Sequence, residues 1–264
     1  MKIGTFFIYM IKTVAIQGVK GSFHHIVSQQ FFDNDVEAME CLTFDGVVDA
    51  LTNGDCDAAI MALENSIAGS IIPNYALIDN RNLHVVGEHY LDIQHNFMAL
   101  KNQKIADIKE VYSHPMALLQ CKEFFKQHPH IKLIEDKDTA EVAQRINKNQ
   151  LKGVGAIASV TAADIFELNI LARSIQTIKH NETRFAIVKR TNSEVFENEI
   201  NKASVKFVSD HKRGSLAAIL NVMSDCKLNL TKIQSLPIIE TPWKYAFIVG
   251  ALITALVLST YLIF

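Results

Sequence analysis

The stretch KHNETRFAIV (179–188) sets a cluster of polar side chains, Asn181 to Arg184, directly against an apolar strand. Arg184 offers a planar, two-pronged partner for a carboxylate, and the Thr183 hydroxyl can donate a hydrogen bond to a departing oxygen. The same residues are equally compatible with an exposed loop ahead of an edge strand. Four further turns carry hydroxyls, amides or glycines just before a helical pattern: Gly18–Ser22 (GVKGS), Glu64–Ser70 (ENSIAGS), Ser113–Pro115 (SHP) and Ala158–Ser159. Free N–H groups and partial positive charge at helix N-termini turn such a set, facing one cleft, into an anion site without a basic patch. A dicarboxylate fits their coincidence. Each turn alone has a plainer explanation, since Ser and Asn before a helix cap it and Pro115 suits a first helical position. His114 alone is more often a packed or capping histidine than an acid or base. Glu64 can be no more than a partner for neighbouring backbone amides.

The elements that must position these residues follow from hydropathy. Between Lys12 and Arg190, short runs rich in Val, Ile and Ala alternate with amphipathic stretches, which is βα alternation. Strands are predicted near Thr13–Gln17, Asp57–Ala62, Val85–Glu88, Ile93–Leu100, Glu110–Tyr112, Lys132–Glu135, Gly153–Ala158 and Arg184–Lys189. Helices are predicted after Ser22, Phe44, Ser70, Pro115, Thr139 and Ser159. This pattern implies an α/β architecture with mostly parallel sheets, whose ligands sit beyond the carboxyl ends of the strands.

The chain has 264 residues, enough for two or three compact units. Its 26 basic and 28 acidic residues give a formal charge of −2, so no global field recruits nucleic acid or a membrane surface. The four cysteines, Cys41, Cys56, Cys121 and Cys226, form no C-x-x-C, and a reducing cytoplasm suits them. No G-x-G-x-x-G, Walker A or H-E-x-x-H pattern is present, and no clustered His/Cys set. Nucleotide and metal chemistry therefore lack their usual sequence signatures, and the expected reaction uses no cofactor and no metal.

In order and spacing, VAIQGVKGSF, LENSIAGSI, IQHNFMAL, VYSHPMALLQC, DTAEVAQRI, GAIASVTAADIFELNIL and NETRFAIV resemble the prephenate dehydratases from about Thr13 to Arg190. The resemblance implies a catalytic region of two α/β subdomains (12–190), similar to type II periplasmic binding proteins, with the second subdomain at about 93–171. Prephenate would lie in the cleft between them and be converted to phenylpyruvate, carbon dioxide and water. By the same resemblance Thr183 is the essential hydroxyl, with Arg184, Asn65, Ser66 and Ser113 as further catalytic residues. Ser22, Glu64, Gly69, His114, Ser159 and Phe185 would contact substrate. Arg184 would meet a substrate carboxylate or hold the loop. Met116 stands where the family commonly has Gln, and Ala62 and Leu63 where it commonly has Pro-Ile. Arogenate dehydration is the close alternative, and a non-catalytic anion or amino-acid sensor is the alternative from another class.

A polar linker, Thr191 to Lys202, leads into a second module at 203–249 that resembles an ACT domain, a βαββαβ unit, without its second helix and last strand. The resemblance implies an L-phenylalanine effector site with Gly214, Ser215 and Leu216 in the HKRGSLAAIL loop. Ser235 and Pro237 would join it, from a segment reading Gln-Ser-Leu-Pro where the family commonly has Glu-Ser-Arg-Pro. It also implies a homodimer or homotetramer, with assembly or regulation impaired by the uncovered sheet edge. Two terminal segments complete the expectations. Residues 1–11 read as an extension, with Met10 an alternative start. Residues 245–264 carry no charge and are long enough for a membrane-crossing helix. The competing reading is a buried strand, since WKYAFIV (243–249) also reads as the partner of the strand LTKIQSLPII, followed by a shortened or frameshifted end.

Overall fold

The computed structural model describes residues 11–32, 36–191, 202–210, 212–238, 241 and 244–252. The expected extension (its first ten residues), the body of the linker and the tail beyond Leu252 lie outside these. Two compact units divide at Asn192/Ser193.

The first unit has two lobes. Lobe one contains β1 (Thr13–Gln17), α1 (Phe23–Phe32), β2 (Glu37–Cys41), α2 (Phe44–Asn53), β3 (Ala58–Asn65), the short β4 (Gly69–Ser70), α3 (Ile72–Asn80) and β5 (His84–Asp92). Lobe two contains β6 (Asn96–Ala99), β7 (Glu110–Ser113), α4 (Pro115–Gln120), α5 (Lys122–Lys126), β8 (Lys132–Glu135), α6 (Thr139–Asn149), β9 (Val154–Ala158), α7 (Val160–Ile165) and β10 (Asn169–Ala172). The chain then returns to lobe one as β11 (Glu182–Lys189). Sheet order is β2-β1-β3-β11-β5 in lobe one, with β4 on β3, and β10-β6-β9-β7-β8 in lobe two. The chain thus crosses between lobes near residues 93–95 and again near 173–181.

The sheets are mixed, which corrects the mostly parallel expectation. The pairs β1–β2, β1–β3, β7–β8 and β7–β9 are parallel. The returning strand β11 lies antiparallel to both β3 and β5. In lobe two β6 is antiparallel to β9, and β10 to β6. A chain that leaves a sheet and re-enters it as a central strand need not obey the local βα rule, so alternation alone could not set that direction. Strands β2 and β10 had no predicted counterpart, because Glu37 and Glu40 break the apolar run in one and Asn169 opens the other.

Apolar periodicity accounts for the cores. Val14, Ile16, Ile60, Ala62, Phe185 and Ile187 meet Val27 of α1 on one face of the first sheet. In lobe two, Met98, Ala156 and Ala158 pack on Ala140, Ala143 and Ile146 of α6, while Phe97, Val111 and Ile157 meet Ala117 and Phe125 on the opposite side.

The second unit holds β12 (Lys202–Val208), α8 (Ser215–Asp225), β13 (Asn229–Pro237) and β14 (Tyr245–Leu252). Its antiparallel sheet has the order β12-β14-β13. The central place of β14 agrees with the strand read in WKYAFIV and corrects the alternative of a membrane helix starting at Tyr245. Hydrophobicity alone does not distinguish a buried strand from a helix. Here β14 has a ladder partner on each side, and Ala246, Val249 and Ala251 are buried. Among the described residues no helix is long and apolar enough to cross a membrane.

Two histidines are buried in the first unit. His24 of α1 lies edge-on to Phe44 and Phe185 at 5.4 and 5.0 Å, and burial lowers its pKa to about 3. Burial also lowers His95 to about 4, against a smaller opposing effect of its hydrogen bond to Gln120. Both are neutral when folded and bind a proton readily near 6.5 when unfolded, so the unfolded state takes up more protons as pH falls below 6.5. The stability they contribute is complete above pH 6.5 and is lost on acidification toward their folded values. Urea unfolding between pH 6.5 and 5 is expected to show falling stability, each histidine adding up to about 1.4 kcal/mol per pH unit. His24→Phe is expected to remove one histidine's share of that slope; an unchanged slope would contradict the assignment.

Candidate active site

The site grows from one strand pairing. Thr183 and Arg184 of β11 lie opposite Asn65 and Glu64 of β3, but Phe185 lies opposite Ala62, so Leu63 forms a bulge. The extra residue keeps Asn65 beside Thr183 while Ala62 stays with Phe185 in the core. Beyond Asn65 the chain turns through Ser66–Ala68 into Gly69, whose φ of 83° is the left-handed conformation that closes a three-residue hairpin loop.

Asn65 organises this corner. Its Oδ1 accepts from the backbone N–H groups of Ile67 and Ala68, at 3.0 and 2.9 Å. Its Nδ2 donates to Thr183 Oγ1 at 2.9 Å and to Asn181 Oδ1 at 2.7 Å. Ser66 ties the loop to β11 by donating its N–H to the Glu182 carbonyl at 2.8 Å and accepting the Glu182 N–H on Oγ at 3.0 Å. The polar chain continues into lobe two: Asn181 Nδ2 donates to Gln120 Oε1 at 2.9 Å, and the same oxygen lies 2.9 Å from His95 Nε2. Gln120 ends α4, the helix begun by the SHP turn, so the NETRF, ENS and SHP segments are connected by side chains.

Arg184 points the other way. Alternation along β11 puts it on the face opposite Thr183, where it is paired with Glu88 and has Glu64 at 4.0 Å. Burial works against its charge, but the hydrogen bond and charge of Glu88 outweigh that and raise its pKa above the ordinary value. Of the two roles expected for Arg184, its placement fits holding the strands together. Glu64 shares that face. Phe185 is buried at 1 % exposure against His24, within the core, which corrects its expected contact with substrate.

Three expected hydroxyls are turned inward. Ser113 Oγ donates to the Ile157 carbonyl at 2.7 Å, tying β7 to β9. Ser22 Oγ accepts the His25 N–H at 3.2 Å and so caps α1. Ser159 Oγ accepts the Ala162 N–H at 2.9 Å and donates to the Gly21 carbonyl at 2.6 Å, which joins the lobes. A Cβ on Gly21 would lie 2.8 Å from Ala162 Cα, so this approach requires glycine. His114 caps α4 by accepting the Met116 N–H on Nδ1 at 3.2 Å. Burial lowers its pKa, with Asp138 and Glu135 opposing. The plainer capping reading therefore describes Ser22, Ser159 and His114. Residues that sequence reasoning did not assign to the site are Asn181, Gln120 and His95. Their available signal was a polar side chain inside an otherwise apolar motif.

In the second unit, Ser215 and Leu216 line an open depression of about 340 Å³ with Ser209, Asp210, Lys212 and Arg213. Gly214 caps α8 with φ of 83°, while Ser235 and Pro237 lie exposed on β13.

A family model described as prephenate dehydratase matches residues 14–193. Arogenate dehydratase 2 of Petunia hybrida is 39% identical over 225 residues, covering 85% of this chain and 57% of the relative. A bifunctional chorismate mutase/prephenate dehydratase of Buchnera aphidicola is 31% identical over 233 residues, 87% of this chain and 60% of the relative. The chain thus spans about 60% of the length of these relatives. The fold also matches the solved prephenate dehydratase from Arthrobacter aurescens in complex with L-Phe, with TM-score 0.79 and 24% identity over 92% of this chain and 81% of that one. A match across all of both lobes, in a chain whose ENS and TRF segments meet side by side, is decisive: the chain belongs to the prephenate dehydratase family.

Proposed function

We propose that this chain catalyses the decarboxylating dehydration of prephenate to phenylpyruvate, with Thr183 assisting departure of the ring hydroxyl. The observation that carries the proposal is the polarity of the Asn65–Thr183 bond. Asn65 donates to Thr183 Oγ1, which leaves the hydroxyl hydrogen of Thr183 free for another acceptor. In the reaction the bond between the ring and its carboxylate breaks, carbon dioxide leaves, and its electron pair enters the ring. The ring carbon–oxygen bond breaks at the far side and hydroxide departs. Aromatisation drives the step, so the protein need only position the substrate and stabilise charge on the departing oxygen. A hydrogen bond from Thr183 meets that charge, and water forms with a proton from solvent. No cofactor has a part in this scheme.

Asn65 and Ser66 fix the loop beside Thr183, and Ser113, Ser22 and Ser159 shape the site by holding strands, helix and lobes rather than by touching substrate. Arg184 acts through β11, by locking it to β5. Arogenate is a second substrate to consider, because the Petunia relative is an arogenate dehydratase. The second unit we read as a partial ACT module that takes L-phenylalanine, a reading supported by the depression beside α8 and by the L-Phe complex of the Arthrobacter protein. The family resemblance supports a dimer or tetramer. Four free cysteines support a reducing, cytoplasmic setting.

Purified protein is expected to release phenylpyruvate from prephenate faster than phenylalanine from arogenate; the reverse order would reassign the substrate, and turnover of neither would end the proposal. Thr183→Val is expected to lower kcat roughly 100- to 10,000-fold with an unchanged unfolding midpoint. Arg184→Met is expected to act on folding, losing about 1–3 kcal/mol in urea titrations because the partly buried Glu88 loses its charged partner. L-Phenylalanine is expected to lower turnover in the full chain and to lose that effect in Gly214→Val, as followed by calorimetry and initial rates.

A further inference from the structure

Every bond in the polar chain from the Asn65 loop to His95 has a direction that elementary chemistry fixes. The N–H groups of Ile67 and Ala68 can only donate, so the Asn65 atom facing them is the carbonyl oxygen. The Asn65 NH2 group therefore faces Thr183 and Asn181. Asn181 must then present its oxygen to Asn65 and its NH2 to Gln120. Gln120 in turn must present its oxygen, and His95 must carry its hydrogen on Nε2 to donate to that oxygen. Asn181 is completely buried and is the one member bonded on both sides to another side-chain amide.

We propose that Asn181 is a positioning residue that carries the polarity fixed at Asn65 across to lobe two, so that the Gln120 NH2 group is left free to donate. This rests on the dehydratase reading for its consequence in catalysis, but its geometry does not. The Gln120 Nε2 takes no hydrogen bond among the described residues, and Gln120 is only half-buried. A donor is thus held ready in lobe two by an amide that is itself closed to solvent. An amide placed only to fill space could be replaced by any group of its size. One that sets direction cannot be replaced by a group that only accepts.

Asn181→Asp makes that distinction, because the carboxylate is close in shape to the amide but cannot donate. It still accepts from Asn65, but Gln120 must rotate to offer its NH2, and His95 then faces a donor and must move its hydrogen to Nδ1. Nitrogen-15 NMR of the full chain at neutral pH is expected to show His95 as the Nε2–H tautomer in the wild type and the Nδ1–H tautomer in Asn181→Asp. In the same samples kcat is expected to fall about tenfold or more, with KM changed less. An Nδ1–H tautomer in the wild type would overturn the inference, as would a variant with the wild-type tautomer and wild-type kcat. A structural role alone would lower stability and leave the tautomer as it was. Should the wild type turn over neither prephenate nor arogenate, the dehydratase reading falls while the tautomer pair still decides the role of Asn181.

Discussion

Successive side chains of a β-strand point to opposite faces, and on β11 that constraint separates Thr183 from Arg184. The two are neighbours in sequence and invite a single reading as a catalytic pair. Their surroundings differ entirely. Thr183 meets the Asn65 amide at the edge of a polar chain, whereas Arg184 is buried and paired with Glu88, with Glu64 nearby. A guanidinium so placed is expensive to expose and strongly held by its carboxylate, so it acts as a strut. The Leu63 bulge on β3 completes the division, since it lets Asn65 follow Thr183 while the core face below keeps its packing.

From that strand the two-lobed architecture acquires its meaning. The chain leaves lobe one after β5 and returns through a segment in which Ser174, Ile175, Gln176 and Asn181 are bonded to the outgoing one. Gln176, fully buried, donates to Gln94 and Ile93 and accepts the His95 N–H. Ile93 donates to the Asn181 carbonyl at 2.6 Å. The crossovers are thus stitched together where Asn181 stands, and the Gly21–Ser159 contact joins the lobes through another pair of turns. Hydrogen bonds with fixed direction at this seam do more than hold position. They decide which hydrogens remain free, and in a site without a strong base that is the chemistry the protein can supply.

Much of this was legible in the sequence, for physical reasons that can be named. Strands such as Thr13–Gln17 and Lys132–Glu135 showed themselves by composition and by turns at their ends, and the helix starts by their caps. The polar cluster ahead of an apolar strand pointed to Thr183 and its neighbours. Other features depend on long-range pairing. Nothing local says that β11 enters antiparallel between β3 and β5, or that the strand read in WKYAFIV lies between β12 and β13. The inward orientation of Ser113, Ser22 and Ser159 depends on partners up to 138 residues away, as with Ser159 and Gly21. The amide chain was the least visible part, because Asn181, Gln120 and His95 are ordinary residues until folding brings them within hydrogen-bonding reach.

If the two faces of β11 divide chemistry from support, a crystal structure with a stable prephenate analogue bound will show it. The ring oxygen is expected within about 3 Å of Thr183 Oγ1, with Arg184 still paired to Glu88 on the other face. An analogue whose carboxylate is gripped by Arg184, released from Glu88, or one bound away from Thr183, would contradict it.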